Sequence, residues 1–129
     1  PHAPFFYDYK TDNFVASNRY DSKSAQGYLG NLELTDIAFA SMRKTLETAN
    51  LWDSSAVIVS ADHRWRVAQN LDGKISSTVP MMIKLPNTKV GHKISKKAMA
   101  VSSSKLVWGI LTGTIGNADD VEKALSFQN

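Results

Sequence analysis

The stretch VIVSADHRWR, residues 57–66, changes character in its middle. Its first half is a run of mainly β-branched residues without polar alternation, which is typical of a short strand covered on both faces, as in a parallel sheet. Asp62 and His63 follow at once, and Arg64, Trp65 and Arg66 come directly after them. Because ligands of open α/β sheets bind beyond the carboxyl ends of the strands, the stretch is either a polar surface turn or the edge of a ligand site.

The segments around this strand predict an α/β protein, with a mostly parallel sheet flanked by helices. Apolar residues recur at helical spacing before the strand, and a Val-Pro run after it has the composition of a second strand. The residues between and before these segments are rich in turn-forming types and are predicted to be irregular. The predicted elements are helices over residues 24–50, 103–112 and 119–126, and strands over residues 56–60 and 79–85.

The composition limits the possible classes of protein. A chain of 129 residues with 43% hydrophobic content is long and apolar enough for one core. The absence of cysteine excludes disulfides, thiolate nucleophiles and zinc–thiolate sites. The chain begins Pro-His-Ala-Pro, without Met and without a signal pattern, so we expect residues 1–129 to be a single partial domain cut from a longer protein.

The charge is unevenly distributed, although the net value is only +3. No Asp or Glu occurs between Gly73 and Asn117, and we call residues 74–105 within it the lysine-rich stretch. It is either a solvated face or a contact surface for an anion such as a sulfate or phosphate ester, an anionic polymer or a lipid headgroup. Nucleic acid is not expected as a partner, because the stretch has no arginine and no interleaved aromatic ladder.

Several side chains near the first strand have the chemistry of an ester-binding site. A carboxylate beside an imidazole, as in Asp62 and His63, is a usual ligand pair for a divalent metal ion. Zinc, manganese, calcium and magnesium all remain open, and the imidazole argues mildly against the last two. Arg64 and Arg66 have the fork geometry that suits tetrahedral anions, although a solvated loop is the alternative. His2 lies between two prolines, in a segment stiff enough to hold it at a fixed position.

Four blocks of the chain, in order, resemble the C-terminal part of a sulfatase-type domain of the alkaline phosphatase superfamily. Together they extend over most of residues 1–113. The Pro-His-x-Pro and Asp-His-x-Trp-Arg patterns are similar to those of bacterial membrane-anchored sulfatase-like proteins. The blocks are PHAPFFYD, GYLGNLELTDIAFASMRKTLETANLWDSSAVIVSADH, STVPMMIKLP and AMAVSSSKLVWGILTG.

This resemblance implies a fragment of an alkaline-phosphatase-like sandwich from a metal-dependent hydrolase of sulfate or phosphate esters. It implies that Asp62 and His63 ligate the metal, that His2 contacts the anionic group of the ester, and that Lys74 matches an anion-binding lysine. The chain departs from the family pattern at Ala61, where a Ser or Thr is usual, and at Arg64, where a Gly is usual.

The resemblance also places parts of the site outside this chain. In the family, the nucleophile and further aspartate ligands come from the N-terminal half of the domain, so this segment alone is expected to be inactive. The implied longer protein is membrane-anchored with an extracytoplasmic catalytic domain, and this soluble segment would meet a membrane only through it. A phosphoryl-head-group transferase of the same superfamily, or a non-catalytic anion-binding module that uses the lysine-rich stretch, are the alternatives.

Overall fold

A computed structural model describes residues 2–16, 18–95, 97–99 and 101–126, and shows a mixed fold of helices and short strands. The chain divides into two compact units, Pro1–Asn50 with Trp65–Ser76 and Leu51–Arg64 with Ser77–Asn129. No helix among the described residues is both long and apolar enough to cross a membrane. The elements are β1 (Tyr7–Asp8), β2 (Asn13–Phe14), α1 (Ala25–Thr48), β3 (Val57–Ser60), α2 (Gln69–Asp72), β4 (Met81–Lys84), α3 (Ser102–Leu111) and α4 (Ala118–Ser126).

The first unit is a long helix with a small hairpin packed on its N-terminal half. Helix α1 begins where the Ser24 hydroxyl accepts a hydrogen bond from the Gly27 N–H at 3.1 Å. It ends before Asn50, whose φ of 56° is left-handed and stops the helix. Both boundaries confirm the sequence prediction. The antiparallel pair β1–β2 lies in a segment that was predicted to be irregular, because two-residue strands carry no periodic signal.

Helix α1 buries a different face from the one its apolar pattern predicts. Its buried residues are Gly27, Gly30 and Asn31, which are small or polar. Among the apolar residues at helical spacing, Phe39 and Leu46 are half-buried, whereas Leu29 is 49% and Ile37 44% exposed. The apolar stripe of an amphipathic helix is normally covered, so the exposed part of this stripe is available for packing against another surface.

The second unit is a two-stranded sheet covered on one face by two helices. Strand β3 pairs with β4 from Val57 opposite Lys84 to Ser60 opposite Met81. The core consists of apolar residues that follow β4 or lie on α3, α4 and the connection between these two helices. Its buried members are Leu85, Leu106, Ile115, Val121 and Leu125, against which Ile58, Met81 and Ile83 pack.

The prediction of a mostly parallel sheet is wrong for this pair of strands, because β3 and β4 are antiparallel. An apolar run without alternation reports burial and carries no information on strand direction. Of the two faces, the one with Ile58 and Ile83 lies against the core, while Met82 on the other face is 61% exposed. The prediction that residues 1–129 form one partial domain stays a prediction.

Candidate functional site

The candidate site begins where β3 ends. Ser60 is the last paired residue of the strand, and its hydroxyl donates to the Pro80 carbonyl at 3.1 Å. This bond ties the end of β3 to the residue before β4, and the chain leaves the sheet at Ala61. The Asp62 and His63 side chains follow on the surface of the unit, 90% and 37% exposed. Both are therefore accessible to a ligand from solvent.

Two hydrogen bonds orient the Asp62 and His63 side chains. The His63 backbone N–H donates to Asp62 Oδ1 at 2.9 Å, which holds the carboxylate beside the imidazole. The ring Nδ1 lies 2.7 Å from the Arg64 carbonyl oxygen. Because a carbonyl can only accept, Nδ1 carries the proton, and Nε2 is the nitrogen that bears the lone pair in the neutral ring.

The remaining atoms of the pair have a spacing that suits one metal ion. His63 Nε2 lies 3.8 Å from Asp62 Oδ2. Two zinc–ligand bonds add up to about 4.2 Å, so both atoms can reach a single ion. A metal-bound histidine typically donates its other ring N–H to a carboxylate or a carbonyl, as Nδ1 does here. The pair therefore fits a divalent cation, although two ligands alone do not complete a site.

Further metal ligands are not grouped around this pair in the described part of the chain. No cluster of three or more His, Cys, Asp or Glu side chains that could hold an ion occurs among those residues. Without the ion, the exposed Asp62 and His63 form at most a weak ion pair when the histidine is protonated.

His2 is held differently from the metal-ligand candidates and belongs to the first unit. Its side chain is exposed, and its Nδ1 lies within hydrogen-bond distance of the Ala3 carbonyl oxygen. Because this carbonyl can only accept, the proton of the neutral ring lies on Nδ1. The main chain at His2 is attached to helix α1, because the His2 carbonyl accepts a hydrogen bond at 3.3 Å from the side-chain amide of Asn31.

The predicted anion-binding cations are not assembled in one unit. Arg64 is half-buried in the second unit, whereas Arg66 and Lys74 are exposed in the first. Trp65, between the two arginines in sequence, stacks face to face on Tyr28 of α1, with ring centroids 4.4 Å apart. Trp65 is therefore a packing residue of the first unit.

One lysine of the lysine-rich stretch has a structural role that the sequence did not reveal. Lys84 Nζ donates to the backbone carbonyls of Asp53, Ser55 and Leu85, at 3.3, 2.9 and 3.4 Å. It also lies 5.1 Å from the centre of the Trp52 ring. These contacts brace the turn that leads into β3, so Lys84 does not belong with the candidate anion contacts.

Asn31 is the other residue that sequence reasoning missed. Its carboxamide contacts three backbone groups of the segment that carries His2. A signal was present, since an asparagine is a poor helix former and this one follows a glycine inside a long apolar-periodic helix.

Comparison with known proteins gives no match for this chain. No family model matches it, and neither the curated proteins nor the solved structures give a significant match.

Proposed function

We propose that this chain is the C-terminal portion of a metal-dependent sulfatase-like hydrolase that acts on sulfate or phosphate esters. The observation that carries the proposal is the arrangement at the end of β3, where Asp62 Oδ2 and His63 Nε2 lie 3.8 Å apart. The His63 Nδ1–H is donated to the Arg64 carbonyl, so in this proposal Nε2 would be the nitrogen that ligates the metal.

Each predicted residue has a chemical role in this proposal. Asp62 and His63 would hold the divalent ion, which when bound supplies Lewis-acid stabilisation of charge on the ester oxygens. Arg64, Arg66 and Lys74 would bind the non-bridging oxygens of the small or polymeric anionic ester. His2 would contact the anionic group or act as a general acid for the leaving group. The nucleophile would come from the N-terminal half of the same domain.

The accessible apolar surfaces support a larger domain around this segment. Met82, on the face of the β3–β4 sheet opposite the core, is 61% exposed. Leu29 and Ile37 of α1 are 49% and 44% exposed, and a two-stranded sheet is marginal by itself. Further strands and helices of an alkaline-phosphatase-like sandwich would cover these surfaces. In the proposed longer protein, a membrane anchor would carry this domain outside the cytoplasm.

The experiment that tests the proposal is a metal analysis of the intact protein beside its Asp62→Ala and His63→Ala variants, with ester turnover measured in parallel. We expect stoichiometric metal in the parent protein, and loss of metal and turnover in both variants. Asp53→Ala and His92→Ala are matched controls, because both side chains are exposed and neither belongs to the site. Full turnover in a folded Asp62→Ala protein would refute the assignment.

A phosphoryl-head-group transferase would use the same residues and differ only in the acceptor. Assays with a sulfate ester, a phosphate ester and a lipid head-group donor distinguish it from a hydrolase. Release of free sulfate or phosphate supports hydrolysis, whereas transfer of the head group to an added alcohol acceptor supports the transferase.

A non-catalytic anion-binding module is the candidate from another class. The observation in its favour is that Lys89, Lys93, Lys97 and Lys105 are exposed in a stretch without carboxylates. It predicts binding to an anionic polymer that weakens with salt and does not change in Asp62→Ala. Such binding, together with an absence of metal and turnover in the intact protein, would favour this candidate over the hydrolase.

A further inference from the structure

The buried face of helix α1 packs against the segment that carries His2. Its three buried residues, Gly27, Gly30 and Asn31, all lie against the chain between His2 and Asp8. A Cβ atom at Gly27 would stand 2.5 Å from the Phe5 ring, and one at Gly30 would stand 1.9 Å from the Tyr7 carbonyl oxygen. The helix therefore approaches this segment as closely as glycine permits.

Asn31 supplies the polar contacts between helix α1 and this segment. Its Oδ1 accepts a hydrogen bond from the Phe6 N–H at 3.0 Å, and its Nδ2 donates to the His2 and Pro4 carbonyls at 3.3 and 3.4 Å. The orientation of the amide is unambiguous, because a backbone N–H must face the oxygen and carbonyls must face the nitrogen. The side chain is 9% exposed, so water competes little for these bonds.

We propose that Asn31 is a positioning residue for His2. One side chain holds three alternate residues of the segment, His2, Pro4 and Phe6, and so fixes the direction in which the chain presents the imidazole. The His2 ring Nδ1 lies within hydrogen-bond distance of the next carbonyl, that of Ala3, so the orientation of the ring depends on the same segment that Asn31 holds. The catalytic consequence rests on the proposed function, whereas the positioning itself does not.

The decisive variant is Asn31→Asp. It keeps the shape of the side chain and an acceptor for the Phe6 N–H, but it replaces the donor to the His2 and Pro4 carbonyls with an oxygen that repels them. Asn31→Ala removes all three bonds without adding charge, and it serves if the aspartate variant does not fold. Ser41→Ala is the matched control, since Ser41 is an exposed polar residue of the same helix.

The first measurement is the nitrogen NMR spectrum of the histidine rings in the 129-residue chain, with His2 assigned by a His2→Gln variant. We expect the neutral His2 ring to be mainly in the Nδ1–H form in the wild type and in Ser41→Ala. In Asn31→Asp it should shift toward the Nε2–H form that histidine prefers in water, and exchange of the Phe6 amide should quicken. An unchanged His2 ring in folded Asn31→Asp and Asn31→Ala would overturn the proposal.

The second measurement is a double-mutant cycle on ester turnover by the intact protein. Asn31→Asp should lower kcat by on the order of ten- to a hundredfold, as small misplacements of reacting groups do. That loss should vanish in a His2→Ala background, because the two residues act as one unit. Losses that multiply would assign Asn31 a purely structural role. A protein without ester turnover, in which the His2 ring still responds to Asn31, would refute the proposed function and retain the positioning.

Discussion

At the scale of single residues, the hydrogen bonds of Asp8 and of Tyr7 predict that the stability of the first unit depends on pH. Asp8 is 5% exposed, and the Lys10 backbone N–H that donates to its Oδ1 at 3.0 Å is the main cause that lowers the pKa of its carboxyl. The Tyr20 hydroxyl lowers it further. The pKa of Tyr20 is raised, mainly by burial and secondly by its hydrogen bond with Asp8. Asp8 is thus a structural carboxylate, distinct from the exposed Asp62.

The lowered pKa of Asp8 gives a stability contribution with a defined sign. A carboxyl whose folded-state pKa lies below its unfolded value of about 3.9 stabilises the fold above that pH. The contribution is lost as the pH falls through the folded-state pKa. In Asp8→Asn, the free energy of unfolding should therefore fall less steeply with acid than in the wild type. Urea unfolding of the chain between about pH 5 and pH 2 measures this slope, with Asp21→Asn as the exposed control.

Tyr7 gives a second prediction at the alkaline end. Its hydroxyl donates to Asp12 Oδ1, and this bond is the main cause that raises the pKa of Tyr7 to about 12. The stability due to the bond is complete below the unfolded value of about 10 and is lost as the pH rises through 12. An NMR titration of labelled tyrosine rings should show Tyr7 ionising late in the wild type and earlier in Asp12→Asn. Identical titration of Tyr7 in the two proteins would contradict the role of Asp12.

At the scale of elements, the two glycines of α1 decide how the hairpin segment packs. Alanine in place of glycine within a helix normally stabilises a protein by about 1 kcal/mol. Gly30→Ala should instead destabilise the first unit, by roughly 1–3 kcal/mol, because its Cβ would stand 1.9 Å from the Tyr7 backbone oxygen. Gly91→Ala is the control, since no atom lies within 4 Å of its Cβ position. Urea unfolding measures both, and a stabilised Gly30→Ala would show that the segment does not pack as described.

The elements also show what the sequence can and cannot predict. The extents of α1 and β3 follow from local signals, namely the Ser24 cap, the Asn50 stop and an apolar run. The direction of β3 relative to β4 depends on a partner strand, which local composition does not specify. The Asp62–His63 pair was predicted as metal ligands, but the Arg64 carbonyl that sets the His63 tautomer is a backbone group without sequence signal. Asn31 stands out locally as a polar residue after a glycine within a helix, but its backbone partners lie 25 to 29 residues away and local sequence does not identify them.

Strand β3 is held by the hydrogen bonds of Lys84 to the turn before it, as well as by its pairing with β4. Lys84 Nζ donates to the Ser55 carbonyl at 2.9 Å and to two further carbonyls, so its replacement removes three hydrogen bonds, among them the shortest one, to Ser55 in the turn before β3. Lys84→Met keeps much of the apolar stem and should destabilise the second unit by about 1–3 kcal/mol. Lys105→Met, at an exposed position on α3, should change stability little. Equal unfolding midpoints of the two variants would contradict the bracing role.

At the scale of the whole molecule, the proposed larger domain makes a prediction about the exposed apolar residues of the second unit. Met82 and Met99 are 61% and 65% exposed. Single exposed apolar residues are normal on any protein surface. Met82 is the more informative of the two, because it lies on the sheet face opposite the core. In the proposed domain this face is covered by further elements of the same chain.

Methionine oxidation tests this expectation directly. In the 129-residue chain, mild peroxide should oxidise Met82 faster than its neighbour Met81, which packs against the core. In the intact protein, Met82 should become protected to the level of Met81, because the rest of the domain would then cover the sheet. Tandem mass spectrometry distinguishes the two residues. Oxidation of Met99, measured in the same sample, reports on the exposure of the lysine-rich stretch. Equal oxidation of Met82 in both proteins would mean that this face stays open to solvent, and the sandwich proposed around β3 and β4 would then be wrong even if Asp62 and His63 bind a metal.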